Sequence, residues 1–130
     1  MFIRQERSFG SGSLIAATAI DTTTYDKAGR YNGVQATVCP NNAIPQFIFS
    51  ESADSGDPVP VAFIGMPGLV TLKMKGTGTK GNKVITDSSG NFVASGTADN
   101  AALGTWDFGI AKTDWTDGQE INVMIMRGGI

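Results

Sequence analysis

Two pairs of aspartates are spaced closely enough to work together as catalytic carboxylates. Asp54 and Asp57 form one pair, and Asp114 and Asp117 form the other. A glycosidase uses two carboxyl groups about 5–10 Å apart, one of them with a pKa raised by burial. Both pairs stand beside Gly or Pro, where Asp side chains commonly hydrogen-bond the backbone of a turn. We therefore interpret both pairs as turn residues, with a small hydrolase as the minor alternative.

Other catalytic chemistry is limited by what the chain lacks. It has no His and one Cys, Cys39, among 130 residues. Serine triads, Cys-His pairs, histidine metal sites, internal disulfides and cysteine zinc clusters are thereby excluded. The Gly-rich stretch 76–81 lacks the Gly-Lys-Ser/Thr ending of a phosphate loop, and the Asp-rich turns lack the EF-hand spacing. We predict that the protein is not an enzyme and holds no metal or cofactor.

Charge is distributed unevenly along the chain. Four of the six lysines fall within residues 73–83 with no acidic residue between them, whereas residues 99–130 carry five acidic residues against two basic ones. Lysines of this kind commonly protect an edge strand. The alternative is docking onto another copy or a negative surface. These lysines are Lys73, Lys75, Lys80 and Lys83.

Two tryptophans, Trp106 and Trp115, flank the penultimate predicted strand. Such residues are usually core or subunit-interface anchors, because each buries a large apolar area. Exposed on a β scaffold, they could instead form a platform for a sugar ring. The second interpretation supports an alternative function, that of a carbohydrate-binding β module such as a fibre or lectin-like domain.

The overall composition indicates a folded domain without a general affinity for polyanions. Hydrophobic residues make up 41% of the chain and charged residues 17%, below the roughly 25% that is typical. The net charge of −2 predicts no binding to nucleic acid or membranes. No apolar run approaches the ~20 residues of a membrane span, and we read no signal peptide. Cys39 is compatible with a reducing cytosol.

The elements that must position these residues are short strands between turns. Helical periodicity is almost absent, and Val, Ile and Thr alternate with polar residues in runs bounded by Gly, Asp and Pro. In 68–75, Val70, Leu72 and Met74 point one way and the residues between them the other. We expect an all-β fold, a small barrel or sandwich. The strand at 59–65 contains Pro60 and is expected at a sheet edge or a strand start.

The first third of the chain is the least regular. We divide the chain into an N-terminal arm over 1–33, partly flexible or ordered on a neighbour, and a β-rich domain over 34–130. Within the arm, 14–20 is a plausible strand and 21–30 reads as a polar loop. A purely solvating tail has little use for aromatic anchors, so we expect contacts with a neighbour. The candidate contact residues of the arm are Phe2, Ile3, Arg4, Arg7 and Phe9.

The C-terminal half carries a recognisable succession of motifs. Lys80-Gly81-Asn82-Lys83-Val84-Ile85-Thr86-Asp87-Ser88-Ser89-Gly90 is followed by Gly109-Ile110-Ala111 and then by Asp117-Gly118-Gln119-Glu120-Ile121-Asn122-Val123-Met124-Ile125. Over residues 68–126 this resembles the small capsid decoration proteins of tailed bacteriophages, also called head-stabilising or cement proteins. Those proteins often have Asp where this chain has Asn82.

The resemblance implies a structural virion protein without catalytic residues. It would bind the outside of a phage capsid, with the major capsid protein as partner, and clamp neighbouring capsomers. It would act as an oligomer of itself, often a homotrimer, and would be made in the cytoplasm of the host bacterium. The candidate capsid or subunit contacts are then the arm residues, the four lysines and the two tryptophans named above.

Overall fold

The computed structural model describes residues 11–40, 44–64, 68–95 and 108–126. The described chain is all β, as the sequence predicts, and its strands form two antiparallel sheets. The strands are β1 (Ser11–Ile15), β2 (Ala28–Tyr31), β3 (Ala36–Val38), β4 (Phe47–Phe49), β5 (Pro58–Phe63), β6 (Gly68–Lys73), β7 (Lys83–Thr86), β8 (Phe92–Ala94), β9 (Gly109–Ala111) and β10 (Glu120–Ile125).

The first five strands form one sheet and the last five form the other. The first sheet has the order β1-β5-β4-β2-β3, and the second has the order β6-β10-β9-β7-β8. Neither sheet closes into a barrel, so the sandwich alternative is confirmed. The edges of the first sheet nevertheless meet at one point, a parallel bridge between Ala16, directly after β1, and Ala36 of β3.

No described segment forms a helix with the length and hydrophobicity that a membrane crossing requires.

Alternation along the strands divides the apolar residues between two cores. In β4, Ile48 points to the core between the two sheets, whereas Phe47 and Phe49 point to the other face of the first sheet. The core between the sheets also holds the alternating residues of β6, which confirms the predicted orientation of Val70 and Leu72. The second core lies where the first sheet curls towards the Ala16–Ala36 bridge.

The predicted N-terminal arm requires correction over its described part. Within 11–33, β1 pairs with β5, and β2 lies between β4 and β3. The boundary at residue 33 therefore separates no structural unit there, and the loop predicted over 21–30 ends in a strand. Gly29 explains the error, because a side chain at this position would overlap the rings of Phe47 and Phe49. The glycine serves packing within a strand rather than a turn. Residues 1–10 lie outside the described residues.

The edge position predicted from Pro60 is also wrong, because β5 lies between β1 and β4. The last β4 residue, Phe49, pairs with Val61, so Pro60 lies just past the end of that strand. Its carbonyl accepts a hydrogen bond from the Ser50 N–H at 2.9 Å. Proline has no N–H to donate, and at Pro60 the missing donor would face a position beyond the end of β4. An inner strand therefore tolerates this proline.

The two sheets are joined where β2 begins. The Ala28 N–H donates to the Gly90 carbonyl at 2.8 Å, and Lys27 forms an antiparallel bridge with Asn91. Gly90 has a φ of +79° and lies against the Val38 side chain, so it needs glycine both for its conformation and for its space. Asp87-Ser88-Ser89-Gly90 forms a tight turn, in which the Gly90 N–H donates to the Asp87 carbonyl at 3.1 Å, and this turn also carries the junction between the sheets.

Candidate functional site

The lysine-rich segment and the acidic turn meet at one end of the second sheet. Gly78, in the loop 76–82, forms an antiparallel bridge with Trp115, in the turn 114–118. The backbone N–H of Trp115 donates to the Gly78 carbonyl at 3.0 Å, and the backbone N–H of Gly78 donates to the Trp115 carbonyl at 3.2 Å. A Cβ at Gly78 would overlap the Trp115 ring, so the indole lies directly on the loop backbone. The two segments of opposite charge therefore form one surface.

The carboxylates of the acidic turn bind the backbone of the lysine-rich loop. Asp114 Oδ1 accepts a hydrogen bond from the Lys80 N–H at 2.7 Å, and Asp117 Oδ1 accepts one from the Gly76 N–H at 2.7 Å. Asp117 also accepts the Tyr25 hydroxyl at 2.9 Å. Both residues lie in the predicted turn segment, but their carboxylates bond to the backbone of a neighbouring loop rather than to the turn itself. Neither carboxylate is buried, which a catalytic acid would require.

These hydrogen bonds shift the pKa values of Asp117 and Tyr25. The Gly76 N–H and then the Tyr25 hydroxyl lower the pKa of Asp117 below its ordinary 3.8. The bond to Asp117 in turn raises the pKa of Tyr25 above its ordinary 10.0. A carboxylate with a lowered pKa stabilises the fold fully above the pKa of the unfolded state and loses that contribution as the pH falls through the folded value. The Asp117 contribution is thus lost on acidification below about 3.8.

We expect Asp117→Asn to lower the pKa of Tyr25 towards 10.0, because the amide removes the charged acceptor of the phenol proton. Ultraviolet titration of tyrosinate absorbance measures this pKa. The same variant should lose less stability than the wild type when the pH falls from 5 to about 3. Asp54→Asn is the matched control, since Asp54 has no contact with Tyr25. Unchanged tyrosine titration in Asp117→Asn would contradict the assigned hydrogen bond.

Lys73 and Lys75, two of the predicted contact lysines, bind neighbouring segments of the same chain. Lys73 Nζ donates to the carbonyls of Thr22 and Thr23 at 3.2 Å each. Lys75 Nζ lies 3.6 Å from Oδ2 of Asp87, whose side chain is 2% exposed. Both lysines therefore connect the second sheet to neighbouring segments, and they are weak candidates for contacts with a partner.

The other predicted contacts divide into exposed, buried and undescribed residues. Lys80 and Lys83 are exposed, as a contact role requires. Trp115 is only 2% exposed and belongs to the core between the sheets. The core-anchor alternative is therefore confirmed for Trp115, whereas its roles as a subunit or capsid contact and as a sugar platform are wrong. The remaining candidates lie outside the described residues: Phe2, Ile3, Arg4, Arg7, Phe9 and Trp106.

The other aspartate pair lines an open depression of about 470 Å³ beside Asp21. The Asp57 N–H donates to the Asp54 carbonyl at 3.1 Å, and Gly56 between them has a φ of +86°, so the turn interpretation is confirmed. Asp21 accepts the hydroxyl and N–H of Thr23, which lower its pKa. In the described parts of the chain, no three carboxylate, Cys or His groups are arranged to hold a metal.

A group of exposed apolar side chains lies where the edges of the first sheet meet. Ile15 is 41% exposed, Tyr31 46% and Val34 76%. Tyr31 pairs with Ala36, which Ala16 bridges from the other side, and Ile15 directly precedes Ala16. This surface was not predicted from the sequence. A signal is nevertheless present, because 11–20 and 31–40 contain no charged residue and charge is depleted at the centres of protein interfaces.

The comparisons with known proteins identify a structural relative and no sequence family. No family model matches the chain, and no curated protein matches it. The fold is similar to the crystal structure of the head fiber gp8.5 N base of bacteriophage phi29, with a TM-score of 0.66 and 18% sequence identity. The similarity covers 94% of this chain and 98% of that chain. The two chains therefore share a fold over most of their length.

Proposed function

We propose that this chain is a structural protein of a bacteriophage head that binds the outside of the capsid shell and clamps neighbouring capsomers. The observation that carries the proposal is the fold similarity to the phi29 head fiber base, which spans almost all of both chains. The motif resemblance of residues 68–126 to capsid decoration proteins is an independent argument for the same class. A carbohydrate-binding module is less well supported, because Trp115 is buried.

Clamping requires no chemistry beyond selective binding. A protein that binds the assembled, expanded shell better than free capsid subunits stabilises the shell by its binding free energy. The exposed lysines at the end of the second sheet offer a surface for this contact. The backbone N–H of Lys80 donates to Asp114 Oδ1 at 2.7 Å, which fixes the loop that carries this lysine. Because the loop backbone is already ordered, binding costs little conformational entropy there. Complementary acidic groups on the shell would accelerate docking and set its orientation.

Co-sedimentation with capsids tests this function. Expanded capsids of the phage that encodes this chain should carry it to the pellet, whereas the unassembled capsid protein of that phage should not. The double variant Lys80→Glu with Lys83→Glu should bind roughly tenfold more weakly, because it reverses two exposed charges. The matched control, Lys80→Arg with Lys83→Arg, keeps both charges and should bind like the wild type. Failure of the wild type to bind expanded capsids would refute the proposed function.

A further inference from the structure

A lysine and an asparagine meet side chain to side chain at the junction between the two sheets. Lys27 directly precedes β2, and Asn91 directly precedes β8. The two residues are partners in an antiparallel bridge, and Lys27 Nζ donates a hydrogen bond to Asn91 Oδ1. Because Oδ1 is bonded to Cγ, the amine lies within reach of the carbonyl carbon of the amide. A lysine amine is a nucleophile towards carbonyl carbons of this kind.

A buried carboxylate lies on the other side of the same amide. Asp87 Oδ2 accepts a hydrogen bond from Asn91 Nδ2 at 3.1 Å. The Asp87 N–H donates to the Asn91 carbonyl at 2.9 Å, and Asp87 Oδ1 accepts the Asn91 backbone N–H at 2.9 Å, so the backbone fixes the two residues beside each other. The carboxylate therefore faces the nitrogen that an attack on Cγ would expel, where it is positioned to act as general base and then general acid.

The surroundings of Lys27, Asn91 and Asp87 favour attack by the amine over attack by water. Asn91 is 3% exposed, and the side chain of Asp87 is 2% exposed. A buried site excludes the water that would compete for the carbonyl carbon. Burial also lowers the pKa of Lys27 below its ordinary 10.5, although the charges of Asp87 and Asp21 act in the opposite direction. A lower pKa increases the fraction of neutral amine, which is the nucleophilic form.

We propose that Lys27 and Asn91 form an intramolecular isopeptide bond, with Asp87 as the group that transfers the proton. A bond forms between Lys27 Nζ and Asn91 Cγ, and the bond between Cγ and Nδ2 breaks. Asp87 takes a proton from the attacking nitrogen and gives it to Nδ2, which leaves as ammonia. One amine and one primary amide thus give one secondary amide and one ammonia, so the step balances without another reactant.

The isopeptide bond joins the two sheets covalently. Lys27 and Asn91 are 64 positions apart in the chain and stand at the starts of strands in different sheets. A cross-link over a long loop restricts the unfolded chain, as a disulfide does. Cys39 is the single cysteine and has no partner in the chain for an internal disulfide. The inference does not depend on capsid binding, since the bond forms within one chain.

Intact-mass spectrometry of the full-length protein tests the bond directly. The purified wild type should be lighter than its sequence mass by one ammonia, about 17 Da. Trypsin should not cleave after the modified Lys27, so fragments 8–30 and 84–112 should appear as one branched peptide. The branched peptide distinguishes this bond from a loss of ammonia within a single residue.

Lys27→Arg is the most informative variant, because the guanidinium keeps the charge and the hydrogen-bond donors but is not a nucleophile. This variant should have its full sequence mass. The matched control is Lys75→Arg, since Lys75 Nζ lies 3.6 Å from Asp87 Oδ2 and is the other lysine at this carboxylate. The control should still lose one ammonia. Asp87→Asn should leave most of the chain at full mass, because general acid–base catalysis contributes about 10²–10⁴-fold to such reactions.

The measurement on the wild type needs no variant, so a folding defect in any variant does not affect it. A wild type at its full sequence mass would overturn the proposal. Loss of ammonia that persists in Lys27→Arg, or a branched peptide that joins other residues, would overturn it as well. Complete linkage in Asp87→Asn would overturn the proton transfer through Asp87.

Discussion

Replacing Trp115 by alanine is expected to lower the free energy of unfolding by about 3–5 kcal/mol. The indole is 2% exposed within the core between the sheets, and its ring lies on the backbone of Gly78. Truncation leaves a large cavity beneath the loop 76–82 and removes the packing that holds this loop against the turn 114–118. Because small domains are stable by only about 5–15 kcal/mol, this loss is a large fraction of the total. Urea denaturation monitored by circular dichroism measures it.

Trp115→Phe provides the matched comparison, because it keeps an aromatic ring and leaves a smaller cavity. We expect it to lose less than half as much stability as Trp115→Ala. The indole N–H donates only a long hydrogen bond, 3.5 Å to the Lys75 carbonyl, so its removal costs little. A Trp115→Ala variant as stable as the wild type would contradict the burial of this residue.

Asp87→Ala is expected to cost about 3 kcal/mol, the second-largest effect of a single substitution. Asp87 Oδ1 accepts the N–H groups of Ser89 and Asn91 at 2.9 Å each. Oδ2 accepts the Asn91 side-chain amide at 3.1 Å and lies 3.6 Å from Lys75 Nζ. Since the Asp87 side chain is 2% exposed, truncation leaves buried donors without an acceptor. The loss should appear as a lower midpoint in urea denaturation.

Asp114→Ala is the control for this substitution. Asp114 also accepts a backbone N–H, that of Lys80, but it is exposed, so water can replace the carboxylate. We expect a loss of at most about 1 kcal/mol for this variant. Equal losses in the two variants would show that the burial of Asp87 does not matter, contrary to its placement at the junction of the sheets.

The strand pattern of the C-terminal half was predictable because local chemistry determines it. Alternation fixed the inward direction of Val70 and Leu72, and the Asp-Ser-Ser-Gly sequence fixed the turn before β8. These features depend on neighbours in the chain, which the sequence displays directly. The all-β class followed from the same patterns.

Features that depend on packing against residues distant in the chain could not be predicted in the same way. Gly29 is a strand residue because the rings of Phe47 and Phe49 occupy the space of its missing side chain. The composition around it nevertheless indicates a loop. Trp115 stands in an Asp-rich turn, which favours an exposed position, yet Gly78 provides the space that buries the indole. In both cases tertiary packing overrides a local preference.

The first residues of β1 were not predicted as a strand for a related reason. The Gly/Ser composition of residues 8–13 indicates a flexible stretch. Pairing of Gly12 with Val61 and of Leu14 with Val59 makes its second half a strand. Whether such a strand is inner or outer depends on the order of the whole sheet, which no local pattern contains.

The central claim, attachment to the outside of a phage head, is tested most directly by electron cryomicroscopy of capsids assembled with and without this chain. The proposed function predicts additional density on the outer surface of the shell, bridging adjacent capsomers, into which the two-sheet fold fits. Identical reconstructions from the two preparations, or density confined to the inner surface, would contradict it.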